Sequence, residues 1–398
     1  MPTNLPAEAK AKWVKYLEAR TLEEKIEALE EFLSYVPKHK GTENLRAWVR
    51  RKIAELKDEL EEKKARRGGG GGPTFFIEKE GAAQVVMLGF TKSGKSSVLR
   101  ILTNAKPEVS PIPFTTTLPV PGMMPYQDIQ IQVIEAPAFV NGMSKGSVWW
   151  GSRVLGLARN ADGLIVVLDA ANDPIEQFKS IVEELAEVGI HVRKPSGEVS
   201  VIKSRDVHGI RVITYGRLIN CTSDDVRKLL ESYRIYNAEV RVFGEVTLDD
   251  IEKAIFERIT YKPTLVLLNK VDLIDREQVS EVLTTILSNY PDIQVLPVSA
   301  AKRLGFDNVP EKVFKMLKII RVYTKEPNSG RPSPKPMILK EGATVEEAIK
   351  KIREEFLKYF KFAKIWGPSA KYPGERVGLD HILMDGDVIE IRTTIKGV

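Results

Sequence analysis

The sequence has one cysteine, Cys221, in 398 residues. No internal disulfide can form, no cysteine-rich metal site is present, and a reducing compartment fits. Neither H-E-x-x-H nor C-x-x-C occurs, and the four histidines are spread along the chain, so no metal cluster is expected. Long hydrophobic runs are missing as well. The most apolar stretches, such as DGLIVVLDAA, are far too short to cross a bilayer. The opening MPTNLPAEAKAKWVKYLEAR lacks a signal-peptide core. These absences predict a cytoplasmic protein with no membrane partner. No Ser/His/Asp arrangement stands out, and no feature points to DNA specificity.

What is there suits a soluble chain of two or three domains, 43% hydrophobic and 29% charged. The net charge of +6 permits an anionic partner without requiring one. Residues 1–67 read as a helical hairpin packed on its own protein. Thr21 and Glu24 have capping-box spacing. Ile26, Leu29, Phe32, Leu33 and Val36 form one apolar stripe, and Leu45, Val49, Ile53, Leu56 and Leu60 a second. The basic run EEKKARR that follows suits either a phosphate contact or a solvated helix end. GGGGGP, residues 68–73, is a flexible linker.

From residue 82 to about 330, short apolar strands (AAQVVMLGF, DGLIVVLDA, PTLVLLNK) alternate with helical stretches. That pattern predicts an α/β domain with a mainly parallel sheet. Residues 335–398 differ. PMILKEG, FAKIWG and DVIEIRT read as strands around the amphipathic helix TVEEAIKKIREEFLKYF, with Thr344 and Glu347 at capping spacing. This is a small separate α+β domain.

The strongest motif is Gly89-Phe90-Thr91-Lys92-Ser93-Gly94-Lys95-Ser96-Ser97, a full G-x-x-x-x-G-K-S after a strand and before a helix. Its glycines let backbone N–H groups wrap a phosphate, and the helix aims its positive end at the same anion. Lys95 would reach the β- and γ-phosphates, and Ser96 would offer its hydroxyl to Mg²⁺. Asn269-Lys270-Val271-Asp272 follows another strand. Asp272 is placed to accept from the N1–H and 2-amino group of guanine, a donor pair that adenine lacks. Ser299 and Ala300 end the strand IQVLPVSA, where a backbone N–H could meet the guanine oxygen. GTP and GDP are the expected ligands.

Taken in order, these motifs resemble the Obg-related group of P-loop GTPases called developmentally regulated GTP-binding proteins. GFTKSGKSS, PFTTTLPVPG, IQVIEAPAF, AEVGIHVRKP, YRIYNAEV, TYKPTLVLLNKVD and FAKIWGPSAKYPGERVGLDHILMDGDVIEI carry the resemblance, from the glycine linker to the end. It implies a GTPase domain with a small inserted α/β subdomain at about 191–242, and a C-terminal TGS-like β-grasp domain. It also implies a switch acting on the ribosome or RNA, with a protein cofactor as a possible further partner. Lys335, Lys340, Lys361, Lys364, Lys371 and Arg376 supply positive charge to the C-terminal domain. The alternative is an RNA or ribosome scaffold with little or no GTP turnover.

The same resemblance marks Thr115 or Thr116 as the switch threonine that binds Mg²⁺, with Thr116 the choice for the metal. It also exposes two departures. Where the family has D-x-P-G, this chain has Glu135-Ala136-Pro137-Ala138. The aspartate normally holds a Mg²⁺-bound water and the glycine N–H normally meets the γ-phosphate. The resemblance implies that Glu135 holds Mg²⁺ through water, with its carboxylate set off by about one C–C bond. Alanine costs roughly 1–2 kcal/mol more than glycine if a left-handed backbone is needed. Slow or partner-dependent hydrolysis is expected, and no residue is assigned as catalytic. At Lys92 relatives commonly carry Ser or Asn. Its ammonium either replaces a monovalent cation near the phosphates or points to solvent. Trp149 and Trp150 read as core or interface anchors.

Overall fold

This computed structural model describes residues 5–19, 21–37, 42, 45–46, 48–50, 52–53, 56–57, 60, 75, 77–105, 118–193, 197–203, 209–233, 235–256, 260–326 and 331–394. Thr115, Thr116 and the glycine linker lie outside the described residues.

A six-stranded sheet positions the site. β1 (Gln84–Leu88), β2 (Val120–Tyr126), β3 (Ile129–Glu135) and β4 (Gly163–Asp169) are joined by strands Thr264–Asn269 and Gln294–Pro297. Across the sheet the order is 294–297, 264–269, 163–169, 84–88, 129–135, 120–126. All pairings are parallel except β2 with β3. β1, β4 and 264–269 are buried along their whole length, as a sheet covered on both faces requires. One apolar cluster, with Leu88, Val166, Phe178 and Ile181, fills one face. A second, with Val85, Leu99, Val167 and Phe314, fills the other. Because β1, β3, β4 and 264–269 run parallel, their C-terminal ends share one edge, the usual ligand edge of such sheets.

The N-terminal region has one more helix than a hairpin. α1 (Ala7–Glu18) precedes α2 (Leu22–Tyr35), and the described residues between 45 and 60 are also helical. The extra helix buries a narrow stripe with Ala9 and Trp13, and Leu5 just ahead of its N-cap Pro6 joins them, in a lysine- and alanine-rich segment. Its anchor is Trp13, whose ring lies 5.4 Å from Phe32 and 5.7 Å from Trp48. Thr21 and Glu24 form the capping box at the start of α2. These helices share one core with the inserted subdomain, where Leu29, Phe32 and Val49 pack with Leu230, Val240 and Ile251.

The insert runs further than residue 242. Its central strand, Ala238–Thr247, pairs with Gly197–Lys203, Ile210–Thr214 and Arg217–Ile219. Helix Leu248–Phe256 then closes the same core through Ile251. The C-terminal sheet likewise starts ahead of residue 335. Ile319–Thr324 pairs with Met337–Lys340 on one side and Asp387–Thr393 on the other. Phe360–Trp366 and Glu375–Val377 complete five strands. Helix Val345–Arg353 covers one face with Val345, Ala348 and Ile349, and Thr344 caps it by accepting from the Glu347 N–H.

Candidate nucleotide site

The loop between β1 and helix Lys95–Leu102 bends tightly. Gly94 has φ +92° and Lys92 φ +61°. A side chain at Gly94 would run into the Asn269 amide, so glycine is required there twice over. At Gly89 a Cβ would stand 2.5 Å from the Val167 carbonyl oxygen and 2.8 Å from Ser93 Oγ. The loop is therefore pressed onto the sheet edge, with its inner face reserved for backbone.

Lys95 lies under this loop, nearly buried. Its ammonium donates to the carbonyls of Gly89 at 2.7 Å and Phe90 at 3.1 Å. Burial pushes its pKa down to about 8, against the opposing pull of the Glu135 carboxylate. A phosphate arriving here would meet an ammonium held only by two carbonyls. Ser93 is fully buried and its Oγ has no hydrogen-bond partner.

The ligand edge is tied across strands. Asn269 donates from Nδ2 to the Ser93 carbonyl at 2.9 Å and accepts at Oδ1 from the Ala300 N–H at 3.0 Å. One buried amide thus joins the phosphate loop, 264–269 and the loop after 294–297. Ser299 donates to Asp272 at 2.5 Å, and this hydrogen bond holds the Asp272 carboxyl below the usual carboxylate range. Asp272 is therefore an ionised acceptor at neutral pH. Lys270, at φ +67°, reaches across to Asp169 at 2.6 Å.

The stretch after β3 is bound to the phosphate loop by its backbone. The Ala136 N–H donates to Met87 at 3.1 Å and the Phe139 N–H to Gly89 at 2.9 Å. The Phe90 and Phe139 rings meet edge to face at 5.6 Å. Glu135 is buried and accepts from the Ser96 hydroxyl at 2.5 Å. Two hard oxygen donors so converge beside the phosphate loop, a donor set suited to Mg²⁺. Ala138 is not among the positive-φ residues, so the alanine is unstrained in this conformation.

Lys92 is exposed at the crest of the loop. Three neighbours of the site carried no motif in the sequence. Asp169 ends β4 and anchors Lys270. Trp150 donates from Nε1 to the Ala138 carbonyl at 3.3 Å. Glu184 accepts from the Ser144 N–H at 2.8 Å and from the Gly142 N–H, which pins the loop after Ala138. A carboxylate closing an apolar strand is the signal for Asp169. Glu184 sits mid-helix and had none. Trp149, beside Trp150, is 56% exposed and so is no core anchor.

The chain is similar to several known families and proteins. Residues 84–203 match the family described as 50S ribosome-binding GTPase, 207–319 the C-terminal region of that domain, and 320–393 the TGS domain. An uncharacterized GTP-binding protein of Methanocaldococcus jannaschii is 35% identical over 370 residues, covering 93% of this chain and 92% of its own. Developmentally-regulated GTP-binding protein 1 of Xenopus laevis is 31% identical over 368 residues, covering 92% and 98%. Among solved structures, a GTP-binding protein of Sulfolobus solfataricus in complex with GDP aligns at 17% identity, with a TM-score of 0.35, over 79% of this chain and 68% of that one. Among the described residues, no helix is long and apolar enough to cross a membrane.

Proposed function

This chain belongs to the developmentally regulated GTP-binding proteins, and on that premise we propose that it is a guanine-nucleotide switch that acts on RNA or the ribosome and hydrolyses GTP slowly on its own. One observation carries the reading. Asn269 hydrogen-bonds both the phosphate loop and the Ala300 loop, so phosphate and base are read by one rigid edge.

In this reading the loop 89–97 wraps the phosphates with backbone N–H groups, and Lys95 exchanges its two carbonyl partners for phosphate oxygens. Asp272, held by Ser299, accepts from the guanine N1–H and 2-amino group. Ser96 and Glu135, with Thr116, would hold Mg²⁺, which supplies charge neutralisation at the phosphates when bound. The Ala138 N–H is the γ-phosphate sensor. Phe139 follows it and offers no polar group to orient a water, which supports slow turnover.

Support for an RNA partner comes from the C-terminal sheet. Ala363 and Ile365 point into its core, so Phe362, Lys364 and Trp366 share the opposite face. Arg376 lies over the Phe362 ring at 4.7 Å and Lys325 over Trp366 at 4.4 Å. Arg392 is the cross-strand neighbour of Phe362. Aromatic rings interleaved with cations on an open sheet suit stacked bases and phosphates. The matching family's description as 50S ribosome-binding points the same way.

Single-turnover hydrolysis with excess protein tests the slow-switch reading. A slow rate that rises on adding ribosomes supports it. A rate typical of a self-sufficient GTPase overturns it.

A further inference from the structure

Glu135 is one methylene longer than the aspartate of the D-x-P-G pattern that the resemblance implies, and the structure shows where that methylene leads. The carboxylate does not stop short of Ser96. Its Oε1 lies 2.5 Å from Ser96 Oγ, with no room for a water between them. Nor is the contact a surface accident, since Glu135 is 1% exposed. Its backbone is fixed on both sides. Glu135 is in register with Met87 on β1 and with Val120 on β2. The next residue donates its N–H to the Met87 carbonyl at 3.1 Å. Ser96 is fixed in turn by the first turn of helix Lys95–Leu102.

Magnesium holds its oxygens at about 2.0–2.1 Å in near-ideal octahedral geometry, which puts adjacent ligands about 2.9 Å apart. Ser96 Oγ and Glu135 Oε1 need to part by only a few tenths of an ångström to become adjacent ligands of one ion. An aspartate on the same backbone would draw its oxygens back by about 1.5 Å, one C–C bond, and leave space for a water.

We propose that Glu135 binds Mg²⁺ directly, in place of the water through which an aspartate would act, so that Ser96 and Glu135 are neighbouring protein ligands of the nucleotide-bound metal. The proposal rests on the reading of this edge as a Mg²⁺–nucleotide site. It adds a ligand and removes an exchangeable water from the shell. A protein carboxylate at the ion also neutralises part of its charge, which weakens its pull on the phosphates and fits slow turnover.

The test uses the full chain with GDP and Mn²⁺, whose electron paramagnetic resonance line broadens in ¹⁷O-water in proportion to the number of bound waters. In the GDP state, where no γ-phosphate draws Thr116 to the ion, Ser96, Glu135 and a β-phosphate oxygen are the ligands, and an octahedral shell has three positions left for water. The wild type is expected to show that number, and Glu135→Asp one more. Four waters in the wild type would overturn the proposal, without any need for the variant to fold. If Mn²⁺ shows no nucleotide-dependent binding at all, the metal–nucleotide reading of the site fails and the direct ligand with it. Bound Mn²⁺ with four waters sinks only the direct ligand.

Discussion

Arg321 and Asp128 join the C-terminal sheet to the tip of the β2–β3 hairpin through an ion pair of 2.8 Å. The same guanidinium holds Asp385 through two further bonds, at 3.0 Å from Nε and 2.7 Å from Nη2. It also lies over the Phe314 ring at 5.4 Å, and its side chain is only 12% exposed. Tyr323 donates to the second oxygen of Asp128 at 2.5 Å. The hairpin so gripped is the one that ends in Glu135. Removing the guanidinium would leave Asp128 with the Tyr323 hydroxyl and Asp385 with the Arg321 backbone N–H, and would strip both part-buried carboxylates of their counter-charge. Arg321→Ala is expected to lower stability by roughly 2–4 kcal/mol, read as a lower urea midpoint. A change within error would show that the contact contributes nothing.

The same cluster predicts a pH dependence. Burial alone would raise the carboxyls of Asp128 and Asp385, but the hydrogen bonds from Tyr323 and Arg321 outweigh it and hold both below their ordinary values. A depressed carboxyl contributes stability that is present above its unfolded pKa and is lost as pH falls through the folded one. Stability should therefore fall as pH drops below about 4. The loss should be shallower in Asp128→Asn. Equal acid sensitivity in both proteins would remove these groups from the explanation.

In the proposed function, base recognition rests on an ionised Asp272. Asp272→Asn replaces an acceptor by a donor on that edge. GDP affinity is expected to fall at least about 100-fold, while xanthosine diphosphate, whose 2-oxo group accepts, should gain. Ser299→Ala should cost less, because it frees the carboxylate without removing it. Competition titrations of the two nucleotides check this.

Turnover should respond to restoring the motif. The double variant Glu135→Asp with Ala138→Gly is expected to raise the single-turnover rate about tenfold or more while GDP affinity stays within about threefold, since a tenfold rate needs only about 1.4 kcal/mol. An unchanged rate would place the limitation elsewhere.

On the C-terminal sheet, stacking and charge should separate experimentally. Trp366→Ala should weaken single-stranded RNA binding by about 1–3 kcal/mol with little change in salt dependence. Lys364→Gln should reduce the salt slope by about 0.7. Fluorescence anisotropy at several salt concentrations reads both.

Two turns at one edge of the sheet were legible in the sequence because each is a local pattern. Gly89–Ser97 and Asn269–Asp272 are each one strand end and one turn, and spacing alone carries them. The Asn269 bridge was not legible, because its partner Ser93 lies 176 positions away. The helix at Ala7–Glu18 was missed for a different reason. Its apolar stripe is narrow and becomes readable only when Trp13 meets Phe32 and Trp48. The strand Ile319–Thr324 follows its helix after a single left-handed residue, Lys318, so no linker announces the C-terminal sheet. Arg321 and Asp128 lie 193 positions apart, and no local pattern pairs them.

A GTP-gated grip on RNA or the ribosome is tested most directly by co-sedimentation with ribosomes, with GDP and a non-hydrolysable GTP analogue compared at equal salt. Retention should differ by about tenfold between the two nucleotides, which is 1.4 kcal/mol of coupling. Equal retention in both states would contradict a switch and leave a nucleotide-bound scaffold.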